Sequence, residues 1–502
     1  MDFIRNFPLF SIILSLFSSV LCTLLGPRAA RRYTVFLEHI LIFMAAAVLW
    51  YTVRTGASFT YVMGEFPAPW GNELRAGVLE ALMVLCFLVI LLLGVQGGLT
   101  FLKLDVAEDK LHLYYSLVHL FTAALLALVY TNDIFTGYVF LEIMTLSSCG
   151  LIIARSIGRT TLAAVRYMIL NLLGSGLFLL GVVLLYNLTG HLLMVPMRQA
   201  VKDLVANGAV MPLTFALAIL TIGLGIKSGL FPFYFWMPDT YGSATPTSAV
   251  ILSSLVSKAY IFLLFKILYR VVGQDIYQML PLRIILLALG ILGMVGGSIS
   301  AIRSHGVNRM VAYSSAAQIG YIYMGLGIGG AAGFTAAMFQ IIAHAATKSL
   351  LFLTTPRLSR VSGDSMLFSR LQGSGRRAVD AGIFFTVAAF SMVGIPIFAG
   401  FASKLFFAIA AVETDNPVVL FAVMAALAIS AVLNVLYFIR TVIRIYSRPA
   451  DGAEEPTPAP EVRDSRLLYR LSALALTAFN LFLGLFSWTV ADLIRQGLAM
   501  FG

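Results

Sequence analysis

Charge is scarce in this chain: Asp, Glu, Lys and Arg together make up 11% of its 502 residues, where a soluble domain carries roughly 25%. Cysteine is scarcer still. Cys22, Cys86 and Cys149 lie far apart, each inside an apolar stretch and in no CxxC or Cys/His spacing. That pattern supports neither a zinc site nor an iron–sulfur cluster, and the three read as small buried hydrophobes. No Walker motif, G-x-S-x-G or H-E-x-x-H is present. GLGIGG at 325–330 fits G-x-G-x-x-G, but it lies between two apolar stretches with no strand before it, so it is no nucleotide fingerprint. No cofactor is expected, and energy for any work must come from an ion gradient or a partner. The formal charge is +11, yet the basic residues sit in short loops and form no patch, which argues against nucleic acid.

Apolar residues are abundant instead, at 60% of the chain, and the mean hydropathy is +0.93. A single soluble core stops growing at about 250–300 residues, so this excess points to lipid as the solvent. A spanning helix needs about 20 apolar residues. Such stretches fall near 4–25, 34–53, 76–98, 112–130, 133–154, 161–187, 212–231, 246–270, 283–302, 309–328, 331–355, 379–411, 416–440 and 469–494. The reading is an all-α integral membrane protein of about fourteen spans. The first stretch precedes Gly-Pro-Arg-Ala-Ala-Arg-Arg with no A-x-A-like site, which predicts a retained span and no cleaved signal peptide. A Pro- and acid-rich segment at 448–464 reads as a solvated linker before the last span.

Alternate loops carry 21 and eight of the Lys and Arg residues. By the positive-inside rule the richer set faces the cytoplasm, which predicts both termini outside. The other five cations, Lys227, Lys258, Lys266, Lys348 and Lys404, fall inside predicted spans, and all are lysine. Arginine stays charged at any accessible pH, whereas a lysine taken out of water can give up its proton. Titratable cations are thus kept where titration would matter.

Glu142 lies mid-span, where a charge costs about 2.5–3.5 kcal/mol even on a lenient scale, so it must be paired, protonated or turned to a wet interior. Lys227 is its natural partner. Glu142 close by would hold the proton on the amine, and its retreat would free it. Lys258 follows LSSLVS, whose serines could hold water. His344 and Lys348 are four residues apart, on one helix face, and an imidazole between lysines is a plausible relay. Lys404 would be the last site. Lys266 reads differently, as a side chain snorkelling to the outer interface, and Glu38 and Glu80 read as interface residues. GLGIKSGLFPF (223–233) and GIPIFAGFASKLFFA (394–408) echo each other, each with a lysine beside Gly and Ser and a nearby Pro232 or Pro396. With Gly400, these are the candidate helix-breakers of discontinuous helices beside an ion site.

The segments 132–152, 225–265, 308–321, 344–352 and 394–407 resemble the antiporter-like subunits shared by respiratory complex I, Mrp-type sodium/proton antiporters and membrane-bound energy-converting hydrogenases. The lysines fall inside the matching motifs. The resemblance assigns Glu142, Lys227, Lys258, His344, Lys348 and Lys404 to a proton relay along the membrane midplane. It implies two inverted five-helix repeats, spans 4–8 and 9–13, with broken helices 7 and 12. It therefore predicts a three-helix region at 1–110, repeats at 111–271 and 272–447, and a linker with span fourteen at 448–502. Lys404 with FPAPWG at 66–71 looks most like Mrp D-type subunits, and no long lateral helix is expected. Tyr234 stands where a histidine is common, TTPR (354–357) replaces a glycine-ended turn, and Asn308 replaces a frequent charged residue. The implied function is a proton-translocating subunit coupled to other membrane subunits, moving H+, with Na+ as a second candidate cargo. A self-sufficient antiporter is the alternative, and a non-conducting scaffold is disfavoured by the complete set of titratable spans.

Overall fold

Lipid leaves backbone polar groups no partner outside the chain, so spanning segments must be helices or strands of a closed barrel, and runs of about 20 apolar residues fit only the helix. The computed structural model, which describes residues 2–66, 71–448 and 466–501, follows that rule. Its principal helices, shorter ones between them left aside, begin with α1 (Phe7–Leu24), α2 (Pro27–Thr55), α3 (Val78–Gly97), α4 (Leu111–Tyr130), α5 (Ile134–Ile153), α6 (Gly158–Thr189), α7 (Val210–Ser228), α8 (Pro246–Val272) and α9 (Leu282–Ile302). Seven more follow: α10 (Val307–Ile328), α11 (Gly330–Arg360), α12 (Val379–Val393), α13 (Ala399–Val412), α14 (Pro417–Tyr446), α15 (Arg466–Leu485) and α16 (Ser487–Ala499). Among the described residues, twelve helical stretches are long and apolar enough to cross a membrane, those built on α1–α9, α11, α14 and α15. The chain is a multi-pass integral membrane protein. One short antiparallel hairpin, β1 (Phe59–Val62) with β2 (Glu73–Ala76), joins α2 to α3. All but Arg448 of the predicted linker at 448–464, and most of FPAPWG at 66–71, lie outside the described residues.

Local chemistry sets the helix ends. Asp133 Oδ1 accepts from Thr136 N at 2.6 Å to start α5, and Thr245 Oγ1 accepts from Ser248 N at 3.1 Å to start α8, as side-chain oxygens do for orphan N–H groups. Pro356 sits inside α11, which runs on through TTPR to Arg360 without a turn there.

The helices sort by what surrounds them. The most apolar stretches of α8 and α11 are wholly buried by protein, while α2 and α14 turn most of their surface outward. α10 is almost wholly buried too, although its tyrosines, serines and Gln318 make it less apolar than its neighbours. Without a hydrophobic drive between helices in lipid, close packing of small residues holds such a bundle. Gly290, Gly297 and Gly320 let α9 and α10 approach so closely that a Cβ on any of them would overlap the facing backbone.

Ion pairs gather the basic loops at one end of the bundle. Asp105 meets Arg155 at 3.2 Å, Asp239 meets Arg166 at 2.7 Å and Arg309 at 3.6 Å, and Asp380 meets Arg470 at 3.0 Å and Arg357 at 3.6 Å. Arg303, His305, Arg440 and Arg444 line one cleft there. The charge asymmetry counted along the sequence is therefore an asymmetry between two ends of the molecule.

Candidate functional site

The seventh span is interrupted. α7 stops at Ser228, where Gly229 takes φ +79° and its N–H bonds Ile226 O at 3.3 Å while Leu230 N bonds Gly225 O at 2.8 Å. Such a left-handed glycine cap costs an L side chain about 1–2 kcal/mol. Pro232 follows in the break, and the chain resumes as a short helix at Met237–Ser243. Lys227 lies in the last turn of α7, wholly buried. Its Nζ donates to Thr145 Oγ1 at 2.7 Å and stands 5.3 Å from the Tyr260 ring centroid. Thr145 gives its own hydrogen to Leu141 O at 2.9 Å, so its lone pairs face the amine and the Tyr260 hydroxyl, 3.1 Å away. Glu142 sits one turn from Thr145 on α5, with Oε1 buried and unpartnered. Among the described residues it makes no ion pair within 4.0 Å, yet its charge acts on Lys227.

In α8 the backbone widens to π-helix over Leu252–Val256 and again over Ile267–Val272, a feature often found at functional sites. The first widening presents Ser253 O to the Lys258 amine, which donates to it. Lys348, on α11, donates to Val311 O at 2.7 Å and to the Ser314 hydroxyl, both on α10. Hydroxyl pairs stitch these helices together around the amines, Ser253 with Ser315 at 3.1 Å and Ser349 with Ser254 at 2.9 Å. Both ring nitrogens of His344 are buried without a protein partner. Lys258, His344 and Lys348 stand close enough for their charges to act on one another, so a proton on one discourages a proton on the next.

The twelfth span breaks as the seventh does. α12 ends at Gly394, with φ +94°, Gly394 N on Ser391 O at 3.1 Å and Ile395 N on Phe390 O at 3.0 Å. Pro396 lies in the gap before α13. Lys404, on α13, reaches back across it, and its half-buried amine donates to Met392 O at 3.3 Å and to Val393 O. Those are the last carbonyls of α12, the negative end of a half-helix. A small cavity of about 10 Å³ joins Lys404 to His344, lined by Gln318, Gln340, Thr347 and Ser391 among others; that is room for about one water. Gln340 donates to Gln318 at 2.6 Å and accepts from Ser403 at 2.5 Å. Asn480 of α15 donates to Thr347 at 2.7 Å and accepts from Ala399 N at 3.3 Å, which fixes the start of α13.

The six predicted relay residues thus lie along α5, α7, α8, α11 and α13, around buried α10. Three expectations need correction. Lys266 does not snorkel: it is wholly buried and donates to Leu128 O, Val129 O at 2.8 Å and Thr131 O, capping the carbonyl end of α4. Glu80 is no interface residue, since it pairs with buried Arg270 at 2.6 Å, and Glu38 is wholly buried as well. Gly400 does not break a helix; it is the second residue of α13, where a Cβ would overlap Ser391 O. The π-helical turns, the Gln318–Gln340 pair and Asn480 escaped the sequence reading. Only the amides Gln318, Gln340 and Asn480 had a signal, each standing inside an apolar run.

A helical bundle whose buried centre holds lysines and a histidine between two interrupted helices has the architecture of an ion-translocating membrane protein. The chain belongs to the family described as NADH:quinone oxidoreductase/Mrp antiporter, transmembrane, which it matches over residues 131–430. It is 31% identical over 470 residues to NADH-quinone oxidoreductase subunit N of Desulforudis audaxviator (strain MP104C), covering 92% of this chain and 91% of that one. It is 26% identical over 480 residues to the D-type Na(+)/H(+) antiporter subunit of Bacillus subtilis (strain 168), covering 95% and 94%. In fold it matches a chain of the membrane-bound sulfane sulfur reductase (MBS), an archaeal respiratory membrane complex, with a TM-score of 0.86 and 24% identity over 100% of this chain and 98% of that one.

Proposed function

We propose that this chain is the proton-translocating subunit of a multi-subunit ion-pumping membrane complex. The observation that carries the reading is the file of buried amines and an imidazole between two helix breaks. Charged side chains cost several kcal/mol in a dry interior unless they are paired or can shed their charge, and lysine and histidine can shed it. Glu142 acts as the control on Lys227: its approach holds a proton on the amine, and its withdrawal releases that proton toward Lys258. His344 takes it from the Lys258–Lys348 pair and passes it through the amide-lined cavity to Lys404. Like-charge repulsion along the file drives each proton off as the next arrives.

The relatives are subunits by name, one of an NADH-quinone oxidoreductase and one of a Na(+)/H(+) antiporter, which supports a partnered role with energy supplied elsewhere and H+, with or without Na+, as cargo. The matched glycine caps at Gly229 and Gly394 support inverted repeats, spans 4–8 at 111–271 and spans 9–13 at 272–447, flanked by 1–110 and 448–502, in a fourteen-span count. The gathering of basic loops at one end supports placing that end in the cytoplasm, with both termini outside the cell membrane.

The test is proton translocation by the intact assembly in sealed vesicles, comparing wild type with Lys227→Ala and Lys404→Ala. Each substitution lowers pumping at least tenfold while the complex stays assembled. Pumping that survives both would make the chain a scaffold, and transport by the purified single chain would make it a self-sufficient antiporter.

A further inference from the structure

A second polar seam, between α1, α2 and α4, takes no part in the lysine file. On α2, Thr34 and Glu38 are one turn apart; on α4, His119 and Thr122 face them. Thr34 Oγ1 and His119 Nε2 are 3.0 Å apart, and Thr122 Oγ1 lies 3.4 Å from Glu38 Oε1. All four side chains are wholly buried. Each threonine has one hydrogen, and each spends it nearer home: Thr34 on Ala30 O at 2.9 Å, Thr122 on Val118 O at 2.8 Å. The threonine oxygens are therefore left as acceptors. His119 Nε2–H then donates to Thr34, which leaves Nδ1 as a bare acceptor, and Nδ1 has no protein partner. Glu38 has no firm donor on Oε1 and none on Oε2. A carboxylate so poorly paired in a dry site is costly, whereas a carboxylic acid could donate to Thr122.

The basic end lies one helix turn beyond the seam. A cleft of about 500 Å³ there is lined by Arg28, Arg31, Arg32, Glu108 and Tyr115 among others. Tyr115 is one turn from His119, and Arg31 is seven residues, about 10 Å, from Glu38. Around the pair, α1 brings Cys22 beside Thr34, and α2 brings Tyr33, whose ring meets that of His119 at 5.9 Å and whose hydroxyl meets Ser18 at 2.6 Å. α3 contributes two titratable groups, Cys86 and Glu80, the latter held by Arg270 at the hairpin end. Among the described residues no hydrogen bond links the seam to the lysine file.

We propose that Glu38 and His119 form a proton-binding site of their own, loaded from the cleft at Arg28–Arg32. The site takes up one proton and shares it between a carboxyl and an imidazole, independently of Lys227 and its successors.

Infrared difference spectroscopy of the assembled complex in vesicles, recorded across pH, tests this. Wild type shows a carboxylic C=O band that titrates; Glu38→Gln removes it, and His119→Gln moves its midpoint by about one pH unit, a tenfold change in proton affinity. Should Glu38→Gln fail to assemble, Thr122→Val serves instead, and the same midpoint moves. Lys227→Ala leaves the band in place. A spectrum unchanged by Glu38→Gln, or a midpoint unmoved by Thr122→Val, would make the seam a static contact. Loss of the band in Lys227→Ala would place Glu38 inside the lysine file and overturn its independence, whatever becomes of pumping.

Discussion

The two helix breaks use one backbone device and deliver charge to it from opposite sides. Gly229 and Gly394 cap α7 and α12 with the same pair of bonds at closely similar angles. Lys227 belongs to the half-helix before its break and points sideways at Thr145, within the field of Glu142. Lys404 belongs to the half-helix after its break and reaches back to the carbonyls of the one before. In the proposed mechanism the first amine is governed by a carboxylate on a neighbouring helix that approaches and withdraws. The second is governed by a fixed peptide dipole, worth about 0.3–1 kcal/mol at a surface and up to about 2 kcal/mol when partly buried. On that proposal one break is switchable and the other constant.

The largest expected effect comes from the backbone itself. Gly400→Ala sets a methyl against Ser391 O, and overpacking of this kind costs about 3 kcal/mol or more when backbone must yield. A glycine one turn before the first cap behaves differently: Gly225→Ala meets only a Leu230 methyl at 3.3 Å, which can shift. Thermal denaturation of the complex should separate them clearly; equal losses would mean that the two breaks are packed alike.

Next come the caps. Gly229→Ala and Gly394→Ala each force an L residue into left-handed backbone, for about 1–2 kcal/mol apiece. The first displaces the flexible Met237 methyl, whereas the second crowds the Lys404 amine, which lies 2.8 Å from where the methyl would be. It should therefore lower pumping beyond its effect on stability, and the first should not. Pumping that tracks stability in both variants would remove the distinction.

The smallest and most diagnostic change is Glu142→Gln. Stability should stay within about 0.5 kcal/mol, because no ion pair is lost, while turnover falls several-fold as Lys227 loses its control. Turnover assays with a parallel melting curve read this out, and an unchanged rate would mean that both breaks run on fixed dipoles.

The spans were legible because lipid imposes a run length, and the lysines stood out because each interrupts such a run. What a neighbouring helix offers at the same depth was not legible. Lys266 and Lys258 look alike in sequence, yet one meets the carbonyl end of α4 and the other a π-helical turn in its own span. Glu38 reads as an interface residue because the apolar run begins only at 34, whereas α2 itself begins at Pro27 and α4 covers its side chain. The echo between the breaks was visible, but alignment on its lysines misleads. The residues that share one local geometry are the glycines, because φ > 0 is a demand of the backbone, while a long amine can arrive from either side of the gap.

The measurement that bears most directly on the account is proton pumping by the assembled complex carrying Lys404→Arg, beside Lys404→Ala. Arginine keeps the positive charge and can still cap the Met392 and Val393 carbonyls, but it cannot give up its proton. The account predicts that Lys404→Arg pumps no better than Lys404→Ala, with assembly intact in both. Recovery of wild-type pumping by arginine would contradict it, and would show that this position needs only a fixed charge.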